Sequence, residues 1–215
     1  MATVALDIET VSPGSNDGTD VDFLDSRDFE VLCVGLGHRL SPNSEIEIEV
    51  IWRPGIHDGD EYQLLAETAE WLHDRHYDRI LTYNGTRFDE RHLRGRAAIV
   101  GDRVGDPSLA DVIHQAWEQG IHRDLMFDII RDRGHRLSLE DAVEQYTRTS
   151  PSSVAWEGEE VTNTDIPVLG EEWLAHRSGL TGLGEQGNRL QKTLEAYVRT
   201  DIEPLFELAD ELSNR

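Results

Sequence analysis

The 215-residue sequence has one cysteine, Cys33, and one lysine, Lys192; its other 19 basic residues are all arginines. A lone cysteine excludes an internal disulfide, and Cys33 lies in an apolar run, where a core position is expected. No apolar run approaches the roughly 18 residues that a membrane-spanning helix needs. The first residues, MATVALDIET, have neither a basic segment nor a long apolar stretch. A secretory signal is therefore not expected, and the cytoplasm is the expected compartment.

Positive charge is scarce. The 43 acidic residues outnumber the 20 basic ones and leave a formal net charge of −23, which repels polyanions at long range. Adaptation to concentrated salt accounts for such a surface, because dense carboxylates keep a protein hydrated. Against that background an isolated Asp or Glu carries no meaning, and only spacing and context do. Hydrophobic residues, at 38%, suffice for a core. Internal repeats and a clear domain boundary are both absent, and the length fits one α/β domain over residues 1–215.

Short β-branched runs at residues 2–8 and 31–38 (VLCVGLGH) predict two buried strands. Residues 45–52 (EIEIEVIW) alternate as an edge strand does, after a turn signal at Ser41-Pro42-Asn43. Residues 12–30 are polar, with Pro and Gly, and predict a long loop. Helical spacing follows from residue 59, then a strand at 79–83, a helix at 88–100 and another at 106–119. Residues 123–130 predict a short strand feeding a helix, and Ser138 begins a further helix to 146. Residues 147–187 read as irregular, with one short helix near 171–176 and a glycine-rich loop at 179–187. A helix over 189–212 closes the chain, with Pro204 expected to kink or divide it. The order predicts a mixed sheet flanked by helices.

Three segments carry candidate chemistry. In LDIET, Asp7 and Glu9 are two apart on a strand and project to one face, with Leu6 and Ile8 on the other. Paired carboxylates repel unless a cation lies between them, and hard oxygen ligands suit a divalent ion. In TYNGTRFDERHL, Asp89 enters the first turn of a helix beside Phe88, where helix-dipole compensation alone would explain an acid. In YVRTD, Tyr197 and Asp201 are one helical turn apart. Each segment alone is ordinary surface decoration in so acidic a chain.

As an ordered set, D-I-E-T, N-x-x-x-F-D (Asn84 to Asp89) and Y-x-x-x-D (Tyr197 to Asp201) resemble the DEDD 3′–5′ exonucleases of the ribonuclease-H-like superfamily. That group includes family B DNA polymerase proofreading domains. Asp124-Leu125 and the GHRLSLED stretch from Gly134 also resemble stand-alone ribonuclease-H-like exonucleases. The position of the histidine in the histidine branch holds Ala196, whereas Tyr197 matches the tyrosine branch, DEDDy.

The resemblance implies a ribonuclease-H-like α/β fold, with Asp7, Glu9, Asp89, Asp201 and Tyr197 as the catalytic set. Its four carboxylates would hold two divalent cations, Mg²⁺ or Mn²⁺, roughly 4 Å apart. Asp7 would bridge both ions, Glu9 and Asp201 would hold the one nearer the attacking water, and Asp89 would reach the other through water. Tyr197, with an ordinary pKa near 10, would orient the attacking water rather than deprotonate it. Thr10, Asn84 and Phe88 would lie near the terminal sugar and base.

Arg87, Arg91, Arg94 and Arg96 form a local basic cluster, and the first three share a helical face that could meet phosphates. The implied partner is a DNA or RNA strand with a free 3′ end, single-stranded. Two alternatives stay open: a non-catalytic ribonuclease-H-like binding module, and an endonuclease of ribonuclease H type. His73 and His76 share a helix face but have no evident partner.

Overall fold

The structure, a computed structural model, describes residues 1–12, 21–179 and 184–214. Much of the predicted loop at 12–30, and residues 180–183 of the predicted glycine-rich loop, lie outside them. Strands β1 (Thr3–Val11), β2 (Glu30–Arg39), β3 (Glu47–Trp52), β4 (Arg79–Thr82) and β5 (Ile121–Asp124) form one sheet in the order β3-β2-β1-β4-β5. β1 pairs antiparallel with β2 and parallel with β4; β4 and β5 are parallel. With flanking helices, this mixed sheet is an α/β ribonuclease-H-like fold. β3 occupies an edge, as its alternation predicts.

Helices cover both sheet faces. α1 (Asp58–His73), α2 (Asp89–Val104) and α3 (Leu109–Trp117) bury Val4, Leu6 and Ile8 of β1 with Leu64, Leu72, Ile80 and Val100. On the other face lie α4 (Leu125–Arg133), α5 (Leu139–Tyr146), α6 (Ile166–Ser178) and α7 (Gly184–Ser213). They bury Ala5 and Val11 with Leu81, Leu125, Trp173, Val198 and Ile202. The face that carries Asp7 and Glu9 is therefore a covered, largely apolar one.

Several expectations need correcting. β1 runs three residues past Ile8, because its antiparallel partner continues to hydrogen-bond it. β5 begins at Ile121 and ends at Asp124, whose carboxylate caps α4 through the Met126 amide. Residues 147–187 are less irregular than expected: Ala155–Trp156 (β6) and Glu159–Glu160 (β7) form a small hairpin, and α6 starts at Ile166 with Pro167 in its first turn, where a missing amide costs nothing. Residues 184–187 belong to α7, and α7 passes Pro204 as one helix.

Glycines set how closely α7 approaches. A Cβ at Gly35 would lie 2.3 Å from Val198 Cγ1, and one at Gly37 would lie 2.8 Å from both Ile202 and Phe206. These two residues share a face of β2, two apart, and leave the groove into which α7 settles. Gly35 pairs with Asp7 in the β1–β2 register. The same contact that seats α7 thus sets the distance from Asp201 to the acids of β1.

A candidate metal centre at the end of β1

Asp7 and Glu9 project from β1 toward α7, and Asp201 comes down from α7 to meet them. One carboxylate oxygen from each lies within 4.8 Å of the others. Asp89 arrives from the opposite side. The parallel ladder between β1 and β4 ends at Ala5–Leu81, so the Ile8 amide is left without a strand partner there. The Asp89 carboxylate accepts it at 3.0 Å and also hydrogen-bonds Asp7. Asp89 is outside the close group of three, yet its carboxylate is buried against the same residue. The β1–β2 register shifts between Glu9 and Thr10, a bulge of the kind that re-aims side chains beside active sites.

The electrostatics are those of crowded like charges. Burial first, then the charges of Asp89, Glu9 and Asp201, hold Asp7 well above the ordinary carboxylate range. Glu9 is raised by burial and by Asp201 and Asp89. Burial is also the leading cause at Asp89 and Asp201, each pushed up to about 7. No arginine or lysine among the described residues hydrogen-bonds or ion-pairs with these four acids. Four carboxylates from three elements, Asp89 buried and the other three half-buried, with no protein cation paired to them among the described residues, have the donor chemistry for hard divalent ions. Tyr197, half-buried beside them, has its hydroxyl driven up by burial and then by Asp201, Glu9 and Asp7. It remains a protonated hydrogen-bond donor.

Asp7, Tyr197 and Asp201 open onto a cleft of about 1350 Å³ that Asn84 also borders. Asn84 has φ +68°, and its side-chain oxygen is buried without a partner. Glu9, Thr10, Phe88, Asp89, Arg87 and Arg91 are not among the residues bordering the cleft. Thr10 is buried on β1. Phe88 packs edge-on against Phe29 and His92, with ring centroids 5.5 and 4.5 Å away. Arg87 is exposed, and Arg91 donates to the Leu24 carbonyl at 2.9 Å.

The expected basic cluster divides by role. Arg94 pairs with Glu90 at 2.9 Å. Arg96 is a buried structural residue gripping Glu61 at 2.6 and 2.8 Å. At the surface the His73 ring meets Gln119 and the His76 ring meets Asp78.

Three contributors were given no role by sequence reasoning, although Asp124 and Glu140 lie in segments that carried the resemblance. Asp124 accepts the amides of Asn84 at 2.8 Å, Thr86 at 3.0 Å and Met126 at 3.2 Å. It thereby fixes the turn that leads from β4 to Asp89. Its position at a strand end, just before a helix, was the available signal. Glu140, at the start of α5, adds negative charge against Asp201 and Tyr197. The same-face glycines of VGLGH were legible only as small residues, not as the seat of α7.

No protein-family model matches the chain, and no curated protein matches it in sequence. Among solved structures, the family B DNA polymerase of Pyrobaculum calidifontis is similar with a TM-score of 0.57 and 16% identity, over 99% of this chain and 24% of the polymerase chain. The chain thus spans about a quarter of that polymerase, and the likeness is one of fold. E. coli Exonuclease I, in complexes with 5cy-dT13 and dA16 oligonucleotides, matches over 100% of this chain and 41% of the enzyme, with a TM-score of 0.42 and 15% and 17% identity.

Proposed function

We propose that the chain is a metal-dependent 3′–5′ exonuclease of the DEDDy type, acting on single-stranded DNA or RNA. The observation that carries this reading is the convergence of Asp7, Glu9, Asp201 and Asp89 from β1, α7 and α2 without a balancing protein cation. A binding module has no need to gather like charges at such a cost.

Two divalent cations, Mg²⁺ or Mn²⁺, bound there would offset charge on the leaving 3′ oxygen and bring an attacking water toward ionisation near neutral pH. On this reading Asp7, which hydrogen-bonds Asp89 and lies in the close group with Glu9 and Asp201, would be a ligand to both ions, Glu9 and Asp201 would hold one, and Asp89 would hold the other. Tyr197 donates its hydroxyl hydrogen bond to hold the attacking water in line. Asn84, which borders the cleft, meets the terminal sugar. Thr10 and Phe88 support the site from behind the cleft wall, and Arg87 and Arg91 lie outside the cleft. Such chemistry depends on positioning and charge more than on covalent participation.

The test is a time course with 5′-labelled linear DNA and RNA beside circular single strands, in Mg²⁺ or Mn²⁺ at high salt. A ladder that shortens from the 3′ end while circles stay intact is expected. Cut circles would assign the endonuclease reading, and no cleavage of any strand would remove the nuclease one.

A further inference from the structure

Beyond Asp7 and Asp201 the cleft wall is acidic, with Glu140, Glu203 and Glu207 among its residues; two arginines, Arg39 and Arg136, also border it. Arg39 is committed: its guanidinium makes two 2.8 Å hydrogen bonds to Asp210 and lies 5.0 Å from the Phe206 ring centre. Arg136 is exposed and forms no ion pair among the described residues.

The backbone around Arg136 is held. Gly134, at φ +81°, ends α4. Tyr83 donates its hydroxyl to the Leu137 and Ser138 carbonyls at 3.0 and 3.2 Å, and Ser138 caps α5 through the Asp141 amide at 3.0 Å. Tyr83 directly precedes Asn84, which borders the same cleft.

A nucleic-acid strand entering this cleft meets carboxylates at each phosphate unless a cation offsets the charge. One uncommitted guanidinium offers a planar fork of donors that fits a phosphate. We propose that Arg136 binds the phosphate next to the scissile one, on its 5′ side, and so sets the register of the 3′ end over the carboxylate cluster. This inference rests on the nuclease reading of that cluster. It also implies that affinity stops rising once the second phosphate is present, because the rest of the cleft repels.

Binding separates the two claims. The probe is 5′-fluorescein-labelled (dT)₆, followed by anisotropy in Ca²⁺ and checked afterwards for intactness. Arg136→Ala is expected to raise Kd about tenfold or more, as loss of a hydrogen bond to a charged group does. It should also flatten the salt dependence by about one phosphate contact, and Arg136→Lys should recover part of the loss. Arg131→Ala, an exposed arginine paired with Asp128 away from the cleft, should bind like wild type.

A methylphosphonate at the second linkage from the 3′ end should weaken wild type by the same factor and leave Arg136→Ala unchanged. Equal binding by Arg136→Ala and wild type, or losses that multiply, overturns the assignment. A wild type that shows this cycle yet releases no nucleotide in Mg²⁺ overturns the nuclease reading and leaves Arg136 standing. Cleavage without the cycle does the reverse, and a wild type that does not bind overturns both.

Discussion

Asp7, Glu9, Asp89 and Asp201 are acids in a chain full of acids, and what separates them is confinement. Elsewhere carboxylates find partners: Asp25 beside Arg27 and Asp106 beside Ser108 and Tyr62 both sit below their ordinary range. The cluster moves the other way because burial and repulsion act together. Tyr197 belongs to the same environment but has a different task. Replacing it by Phe keeps the ring against the core on the α7 side of the sheet and removes only the hydroxyl. On the proposed mechanism kcat for a single-stranded substrate should fall about 10²-fold while KM and the thermal midpoint change little. A KM effect with unchanged kcat would give Tyr197 a binding role instead.

At the scale of elements, the site depends on how α7 and α2 are held against the sheet. Gly35→Ala places a Cβ where Val198 already stands, 2.3 Å away, an overpacking that costs about 1–3 kcal/mol. Denaturant unfolding should show that loss. Activity should fall further than the folded fraction, since a displaced α7 carries Asp201 away from Asp7. Activity that tracks the folded fraction alone would mean the site tolerates the shift.

On the other face, Glu61 and Arg96 form a fully buried pair; Glu61 also accepts the Val31 amide at 2.9 Å, tying α1 and α2 to β2. Arg96→Ala leaves a buried carboxylate uncompensated and should destabilise by about 3–5 kcal/mol in urea unfolding. A loss below about 1 kcal/mol would contradict that account.

Elements with regular periodicity were legible in the sequence: β1, β2, the alternating β3, and helices α1, α2 and α7 stand close to where spacing puts them. The acids at 7, 9, 89 and 201 were singled out by the resemblance of their ordered segments to the DEDD exonucleases; strand and helix periods showed only that Asp7 shares a face with Glu9 and Tyr197 with Asp201. What was not legible depended on tertiary partners. The two-residue strands β6 and β7 carry too little pattern to announce themselves. Arg96 looked like a surface cation until Glu61 was brought to it from another helix. Pro204 looked like a break, yet the packing of Leu205, Phe206 and Leu208 keeps α7 continuous.

The whole molecule carries its formal charge of −23 mostly on the surface, and no helix among the described residues is long and apolar enough to cross a membrane. The clustered acids add a pH dependence of definite sign. In the unfolded chain they titrate near pH 4. In the metal-free fold Asp89 and Asp201 titrate at about 7, with Asp7 and Glu9 also raised. The native state therefore keeps protons that the unfolded chain releases. Their contribution to stability is present at low pH and is lost as pH rises through about 7.

In a chelator, the thermal midpoint should rise as pH falls from about 8 to 5.5, and Mn²⁺ at pH 8 should restore it by binding only the folded form. An Asp7→Asn/Asp201→Asn variant should flatten that slope, which separates the cluster from general relief of surface repulsion. A midpoint that does not respond to acidification would contradict the assignment of clustered, mutually repelling acids.

The most direct measurement is calorimetric titration of Mn²⁺ into the purified chain, with Asp7→Asn alongside. Two ions per wild-type chain are expected, together with a loss of at least about 100-fold in affinity for Asp7→Asn, because even outer partners of metal ligands cost 10–100-fold. Wild type that binds no Mn²⁺, or an Asp7→Asn variant that binds it equally well, would contradict the proposed metal centre.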